Sequence, residues 1–418
     1  MKRKSDVLII GAGVVGICSA YYLSQKGYKV VLVEKGDVCS GSSYGNAGLI
    51  VPSHSVPLAE PGVISRGIRW MLKPESPFHL KVRFDRDLIL WLWKFRRSCN
   101  DTHVQRSMPI IRDLSVESLR LFAELALQKE LDFGYEQRGT LYLCKTEKGL
   151  QKATDEARLV REMGMEVEIL NPTEAQVLEP NLRLNVLGGV FYPRNAHLRP
   201  YQFVRSLAGY VEKRGVEIKT STEVLSIQSS GRMITEVRTT RGNFSPGEVL
   251  LAAGAWSPEI ARDLKLKVPI QPAKGYSITY KRPQYGPTIP LMLAEAKVAS
   301  TPLGDTLRFA GTLELAGMDL SVNRRRIEAI TRTIPTYLPD LDPSRFQLVE
   351  IWRGLRSCTP DGLPLIGRAR MYDNLTIAAG HSTIGMTQGP VSGKLVSCII
   401  SNEDPGFDLS QFSLERFG

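Results

Sequence analysis

Three glycines, Gly11, Gly13 and Gly16, follow a short β-branched run, Val7 to Ile10, and open an apolar helix-compatible run from Val15 to Leu23. Gly27 stops that run, and a second apolar stretch, Val30 to Val33, ends in Glu34 and Lys35. This is strand, glycine turn, helix, strand and acid, in the order a dinucleotide site needs. Gly11 permits the tight turn, Gly13 lets a pyrophosphate approach the backbone, and Gly16 lets the helix pack on the sheet, with Ala12, Val14 and Val15 completing the turn. The helix N-terminus offers unpaired N–H groups and the positive end of its dipole to the phosphates. Glu34 is placed to accept hydrogen bonds from ribose hydroxyls and would repel a 2′-phosphate. The loop that follows, Cys39 to Gly48, is dense in small and hydroxyl residues and can lie flat against a ligand.

A second constellation lies near the C-terminus. Trp352-Arg-Gly-Leu-Arg-Ser-Cys-Thr-Pro-Asp-Gly-Leu-Pro-Leu-Ile-Gly367 leads into Leu375-Thr-Ile-Ala-Ala-Gly-His-Ser-Thr-Ile-Gly-Met-Thr-Gln-Gly-Pro390 and then a helix to about Ile400. Strand, glycine-rich turn and helix again aim a helix N-terminus at the middle of the protein. It suits a ligand atom that becomes negative in turnover, such as the N1–O2 edge of a reduced flavin. A strand over Glu350 to Arg356 would turn Arg353 and Arg356 to opposite faces, so only one of them reaches a common pocket.

The intervening residues must position these two ends. Helical spacing covers Met108 to Glu130, Glu147 to Met163, Arg199 to Lys213 and Arg324 to Thr333, and Asn171 or Thr173 can cap a further helix. Strands are expected at Thr140 to Cys144, Gly189 to Tyr192, Val216 to Ile218 and Val224 to Ile227. Val249 to Trp256 reads as a strand ending in a small-residue turn that can lie beside the dinucleotide, and Val268 to Leu315 is mostly β. Two basic, aromatic segments, Gly67 to Lys73 and Leu88 to Arg97, read either as an amphipathic membrane-surface patch or as a pair of helices packed into a second domain. Neither is long enough to span a bilayer.

With 418 residues, 43% hydrophobic and 23% charged, the chain has material for two domains around a large core. The net charge of +11 favours anionic surfaces and substrates. The basic residues are dispersed, which argues against nucleic acid, and the one tight run, Arg324 to Arg326, is expected on an exposed helix face. The cysteines, at 18, 39, 99, 144, 358 and 398, form no C-x-x-C pair, and the five histidines have no ligand spacing. Reduced thiols, no metal and a cytoplasmic location follow. Met1-Lys-Arg-Lys before an uncharged stretch imitates a leader segment, but three glycines lie within that stretch and no A-x-A site follows.

The glycine fingerprint, the Ser40 to Gly48 loop, Trp-x-Gly-Leu-Arg with Thr-Pro-Asp-Gly-x-Pro, and Gly-His-x-x-x-Gly before the last helix together resemble the FAD-dependent D-amino acid oxidase superfamily, most of all its bacterial D-amino acid dehydrogenases. The resemblance spans nearly the whole chain. It implies an α/β fold in which a Rossmann-like FAD-binding domain (1–85, 195–265 and 355–418) is interleaved with a β-rich α+β substrate domain (86–194 and 266–354). It implies noncovalent FAD, because Cys358 does not occupy the position of the flavin-attaching cysteine. The phosphates would lie at Gly11 to Gly16 and the adenosine ribose at Glu34. The flavin ring would lie near Ser43, Asn46, Ala47, Gly48 and Leu49 and near Gly380, Thr383, Ile384, Gly385, Met386 and Thr387, with Gly41 and Ser42 as further cofactor contacts. Val224, Ala253, Gly254 and Ala255 would touch the adenine side. Arg356 matches the arginine that grips the substrate carboxylate, with Tyr276, Tyr280 and His381 as further catalytic or pocket candidates.

The implied reaction is oxidative deamination of D-amino acids to 2-oxo acids and ammonia, with electrons leaving to a quinone or dye-type acceptor, on the inner face of the cytoplasmic membrane if the basic patch binds lipid. The alternatives are oxidation of glycine, sarcosine or (hydroxy)proline, and a flavin subunit of a larger amine dehydrogenase complex. Ser382 and Thr383 stand where glycine oxidases often carry an arginine, which weighs against that assignment.

Overall fold

The computed structural model describes residues 3–71, 76–81 and 83–417. Met1 and Lys2 of the leader-like start, and Leu72 and Lys73 of the first basic segment, lie outside the described residues. The β-branched run before the glycines forms the strand Arg3–Ile10, which pairs in parallel with Val30–Val33 on one side and Gly242–Leu251 on the other. All four residues of Val30–Val33 are buried, as expected of a central parallel strand covered on both faces. Beyond these lie Glu217–Lys219 at one edge and the antiparallel pair Met233–Thr239 and Val224–Ser230 at the other. Leu375–Ala379 joins Gly242–Leu251 in parallel and carries Leu365–Arg368. Helices Val14–Gln25, Pro200–Glu212 and Gly389–Ser401 share one apolar core on this sheet.

The glycines do the work their positions predict. Gly11 has φ +111°, and a Cβ there would lie 2.6 Å from the Ala252 carbonyl oxygen. A Cβ on Gly16 would lie 1.9 Å from the Gly11 carbonyl oxygen, so helix and strand meet only because it is absent. Gly393 plays the same part between helices, where a Cβ would come within 2.5 Å of the Cys18 carbonyl carbon.

A second, mostly antiparallel sheet runs Leu348–Cys358, Gln271–Lys281, Thr306–Leu315, Val298–Leu303, Leu291–Leu293, Thr140–Cys144, Gly188–Tyr192, Glu168–Leu170. Helix Arg324–Tyr337 packs Ile327, Ile330 and Ile334 onto it over Ile278 and Phe309. The architecture is α/β with a β-rich second sheet.

Several expectations change. The helix expected from Met108 to Glu130 runs Asp101–Ala126. Asn100 caps it, its side chain accepting from the His103 N–H at 2.9 Å. Pro109 sits inside it, where the apolar face of Leu114, Leu121 and Phe122 outweighs one missing hydrogen bond. This helix packs with the first sheet's helices rather than with the second sheet, and Phe78–Leu80 pairs with the second sheet, so both segments lie on the side opposite to the interleaving the resemblance implies. Arg326 is not on an exposed face. It is 4% exposed, with Nε 3.1 Å from Glu314 Oε1, and Lys274, 2% exposed, reaches the other carboxylate oxygen at 3.4 Å. The basic segments form helices Val63–Met71, with no buried residue, and Arg86–Ser98, which buries only Leu88 and Trp91.

Candidate functional site

Both constellations open on one cavity of about 1520 Å³, larger than the ~300–1,000 Å³ of ordinary small-molecule sites. At one end the fingerprint turn is already braced by protein groups. The Ala12 N–H donates to Glu34 Oε2 at 2.9 Å, and the Gly36 N–H donates to Oε1 at 2.9 Å. The Val14 N–H donates to Ser43 Oγ at 3.1 Å, tying the serine loop to the helix start. Gly13 borders the cavity, and a Cβ there would already touch Ser43 Oγ at 3.4 Å. Gly11, Val14, Val15, Glu34, Lys35, Gly41, Ser42, Asn46, Ala47, Leu49, Val224, Ala253, Gly254 and Ala255 border the same space. Lys35 holds its ammonium 4.0 Å over the Trp256 ring, which fixes that wall. A cradle bare of side chains at Gly11 and Gly13, with a carboxylate at the end of the second strand, fits a dinucleotide without a 2′-phosphate.

Four expected contacts shape this wall from behind instead. Ala12 is fully buried and Gly16 lies under the turn. Gly48 and Gly380 have positive φ, and a Cβ would lie 2.3 Å from the Leu198 carbonyl oxygen and 2.6 Å from Thr359 Cγ2, respectively. Thr383, Ile384, Gly385, Met386 and Thr387 border the cavity just before helix Gly389–Ser401. A Cβ on Gly389 would lie 2.5 Å from Val14, so the N-termini of the first and last helices stand side by side.

At the other end, strand Leu348–Cys358 presents Arg356 to the cavity, opposite Ala273 in the register. Its guanidinium lies over Gly275, where a Cβ would be 2.0 Å from Nη1, and Nη1 donates to the Thr312 carbonyl at 2.9 Å. Burial pulls its pKa below the usual arginine value, yet a guanidinium stays charged. No carboxylate of a described residue pairs with it. Arg353 turns the other way and donates to the Leu320 carbonyl at 3.0 Å. Trp352, on the same strand face as Arg356, lies across Gly354 and Gly45, where added Cβ atoms would come within 2.1 Å and 2.0 Å of its ring.

The other three catalytic candidates are placed differently from the expectation. Tyr280 lies off the cavity, packed against Phe309 and Phe346 in the core of the second sheet. Tyr276 borders the cavity, but its register partner is Arg353, and its hydroxyl donates to Glu314 at 3.0 Å and accepts from the Asn323 N–H at 3.2 Å. That hydroxyl is committed to the buried Lys274–Glu314–Arg326 group. His381 reaches the cavity wall, 4% exposed, with Nε2 2.8 Å from Ser392 Oγ, and burial pushes its pKa down to about 4. A neutral imidazole there orients the start of the last helix. Cys358 is fully buried, and desolvation raises its thiol to about 11, so it stays protonated.

Sequence reasoning missed Trp352 as a wall residue, although its spacing of four from Arg356 on a strand carried the signal. It also missed a charged group on the cavity wall. Glu60 accepts from Arg66, and Lys152 lies 3.1 Å from Glu60 and 3.2 Å from Glu156, with His54 and Lys297 beside them. Among the described residues no cluster of His, Cys, Asp and Glu could hold a metal ion, and no helix is long and apolar enough to cross a membrane.

Comparison with known proteins agrees with this geometry. The family described as FAD dependent oxidoreductase matches residues 6–399. A D-amino acid dehydrogenase of Granulibacter bethesdensis is 31% identical over 98% of this chain and 99% of its own. A D-amino acid dehydrogenase of Vibrio atlanticus is 30% identical over 99% of this chain and all of its own. The crystal structure of glycine oxidase from Geobacillus kaustophilus superposes with a TM-score of 0.81 at 23% identity, covering 99% of both chains, and so shares the fold.

Proposed function

Because the chain belongs to the FAD dependent oxidoreductase family, we propose that it oxidises the Cα–N bond of a D-amino acid, giving a 2-oxo acid and ammonia. The observation that carries this reading is Arg356, a charged guanidinium in the cavity without a carboxylate partner among the described residues, held by Thr312 over a bare Gly275. Its planar fork suits a carboxylate in two parallel hydrogen bonds. The two D-amino acid dehydrogenases, matched over nearly their whole length, support the substrate class and stereochemistry.

The fingerprint turn, Glu34, the serine loop and residues 383–387 would hold FAD, which would supply the acceptor for the two electrons and the hydrogen leaving Cα. The chain's own part is to fix the substrate. Arg356 anchors the carboxylate, Trp352 walls the site above Gly45, and neutral His381 neither repels the substrate amine nor charges the wall. The amine binds uncharged, loses one proton as its nitrogen becomes the imine, and water then releases ammonia. Rate enhancement comes from orientation and preorganised charge rather than a strong protein base.

The electron acceptor in this reading is a quinone reached from a membrane surface. Ile68, Ile89 and Trp93 are exposed on the two helices that flank the cavity, beside Arg66, Arg69, Arg96 and Arg97. Such a face suits an anionic interface. Anaerobic addition of D-amino acids to the purified holoprotein should bleach the flavin band, and L-enantiomers should not. A spectrum that no D-amino acid bleaches refutes the reading. Pelleting with anionic vesicles at low salt, lost at high salt, is expected, and no pelleting at low salt removes the membrane part alone.

A further inference from the structure

The serine loop is held from the second sheet by one buried cation. Arg308, 8% exposed on strand Thr306–Leu315, stands behind the cavity wall rather than on it. Its Nη1 donates to two loop carbonyls, that of Tyr44 at 3.1 Å and that of Asn46 at 2.9 Å. Its Nε donates to Thr279 Oγ1 at 3.0 Å, which fixes the guanidinium on the sheet. Arg308 pairs with Thr279 and Thr279 with Glu350, so the three form one row across the strands. Burial lowers the Arg308 pKa and the Glu350 charge opposes that effect, and the guanidinium stays charged. The next row on the same face is Ala310, Ser277 and Trp352, and the Trp352 ring lies across Gly45. Gly45 is therefore pinned by an aromatic ring above it and by an arginine on the carbonyls to either side.

This pinning decides where the loop's N–H groups point. A trans peptide unit sends its C=O and its N–H in opposite directions. With the Tyr44 and Asn46 carbonyls turned to Arg308, the N–H groups of Gly45 and Ala47 point away from it. Both residues border the cavity, and neither N–H donates to a described residue. Gly45 is itself buried, where an N–H without an acceptor is costly and rare. The Asn46 side chain does not serve them, because its Oδ1 accepts from the Gly48 N–H at 2.8 Å. Two backbone donors thus await an acceptor in the cavity.

We propose that Arg308 is a positioning residue for the flavin: it aims the Gly45 and Ala47 N–H groups at the ring and thereby favours the reduced, electron-rich form. A donor binds more strongly as its acceptor becomes more negative, so a preset pair of donors favours reduced over oxidised flavin. This inference rests on the place given to the serine loop beside the ring under the proposed function, and on neither the substrate nor its stereochemistry.

The test is the midpoint potential of the holoprotein, read by equilibration with a dye of known potential and without any amino acid, in the wild type, Arg308→Lys and Arg308→Met. Lysine keeps the charge, but its nitrogen ends one bond short of Nη1 and it has no fork to hold Thr279 as well. Methionine removes both charge and donors. In Arg308→Met the preference for reduced over oxidised flavin should fall about tenfold, the range of one charge-assisted hydrogen bond, which for a two-electron couple is a fall of about 30 mV. Arg308→Lys should show a smaller fall in the same direction, beyond twofold. Flavin should stay bound in both, and kcat for a D-amino acid should change more than KM, because Arg356 is untouched. A preference in Arg308→Lys within twofold of the wild type, or above it, overturns the inference whatever Arg308→Met does, since charge alone would then suffice. Should Arg308→Met fail to fold, Arg308→Lys decides by the same criterion. If no D-amino acid bleaches the flavin, the substrate reading fails and the potentials still decide the role of Arg308.

Discussion

Gly275→Ala is the smallest change that tests how Arg356 is positioned. A Cβ at residue 275 would lie 2.0 Å from Nη1, 2.5 Å from Cζ and 2.6 Å from Nη2 of Arg356. Ordinary carbon contacts begin at about 3.5 Å, so the guanidinium must retreat by on the order of 1 Å or more. That movement breaks the 2.9 Å bond to the Thr312 carbonyl and turns the fork away from the substrate carboxylate. Each hydrogen bond to a charged group contributes ~1.5–3 kcal/mol, so losing one of the two to the carboxylate raises KM roughly 10- to 150-fold. The assay is steady-state kinetics with an artificial dye acceptor, together with the flavin spectrum of the purified variant. The expected result is a large rise in KM, a smaller fall in kcat and an unchanged flavin content, because Gly275 is not part of the fingerprint turn. A KM within about twofold of the wild type would show that the arginine does not grip the substrate, since a displacement of this size cannot leave a bidentate contact whole.

Two further outcomes follow from the buried charges. Replacing Glu314 with Leu leaves the buried Arg326 without its carboxylate and Lys274 with only Asp319, 3.6 Å away, and should destabilise the protein by ~3–5 kcal/mol in urea unfolding; a loss under about 1 kcal/mol would mean the three groups are not a coupled unit. For His381 the folded pKa of about 4 lies below the ordinary histidine value of about 6.5, so the unfolded chain binds the extra proton first. Stability should hold above about pH 6.5 and fall toward pH 4, by on the order of 3 kcal/mol from this group, and a Tm–pH profile identical in His381→Gln would assign that fall elsewhere.

The nucleotide end was legible because its chemistry is local. Strand, turn and helix from Val7 to Glu34 are consecutive, so residue spacing alone fixed which groups meet. The opposing faces of Arg353 and Arg356 were equally legible, since strand alternation needs only two residues and a period. Tyr276 and Tyr280 were not. Whether Tyr276 serves a substrate depends on Glu314, 38 residues away across a strand pair, and nothing in one strand's pattern announces that partner. The run Arg324 to Arg326 misled for the same reason, because three adjacent arginines on a helix point in different directions and one of them finds Glu314.

The close crossing of the first and last helices has a consequence for synthesis. The strand, turn and helix that begin the cofactor cradle leave the ribosome early, yet the helix whose Gly389 and Gly393 rest on Val14 and Cys18 emerges roughly 375 residues later, by the difference between positions 14 and 389. At about 5–20 residues per second, the nascent cradle waits roughly 20 to 75 seconds for its second wall. Throughout that interval the side of the first helix that meets the last helix is uncovered, and the cofactor lacks the wall formed by residues 383–387. Flavin capture is thus an event of the finished chain, and a ribosome that stops short of Gly389 releases a product with an exposed helix face for proteases and chaperones to find.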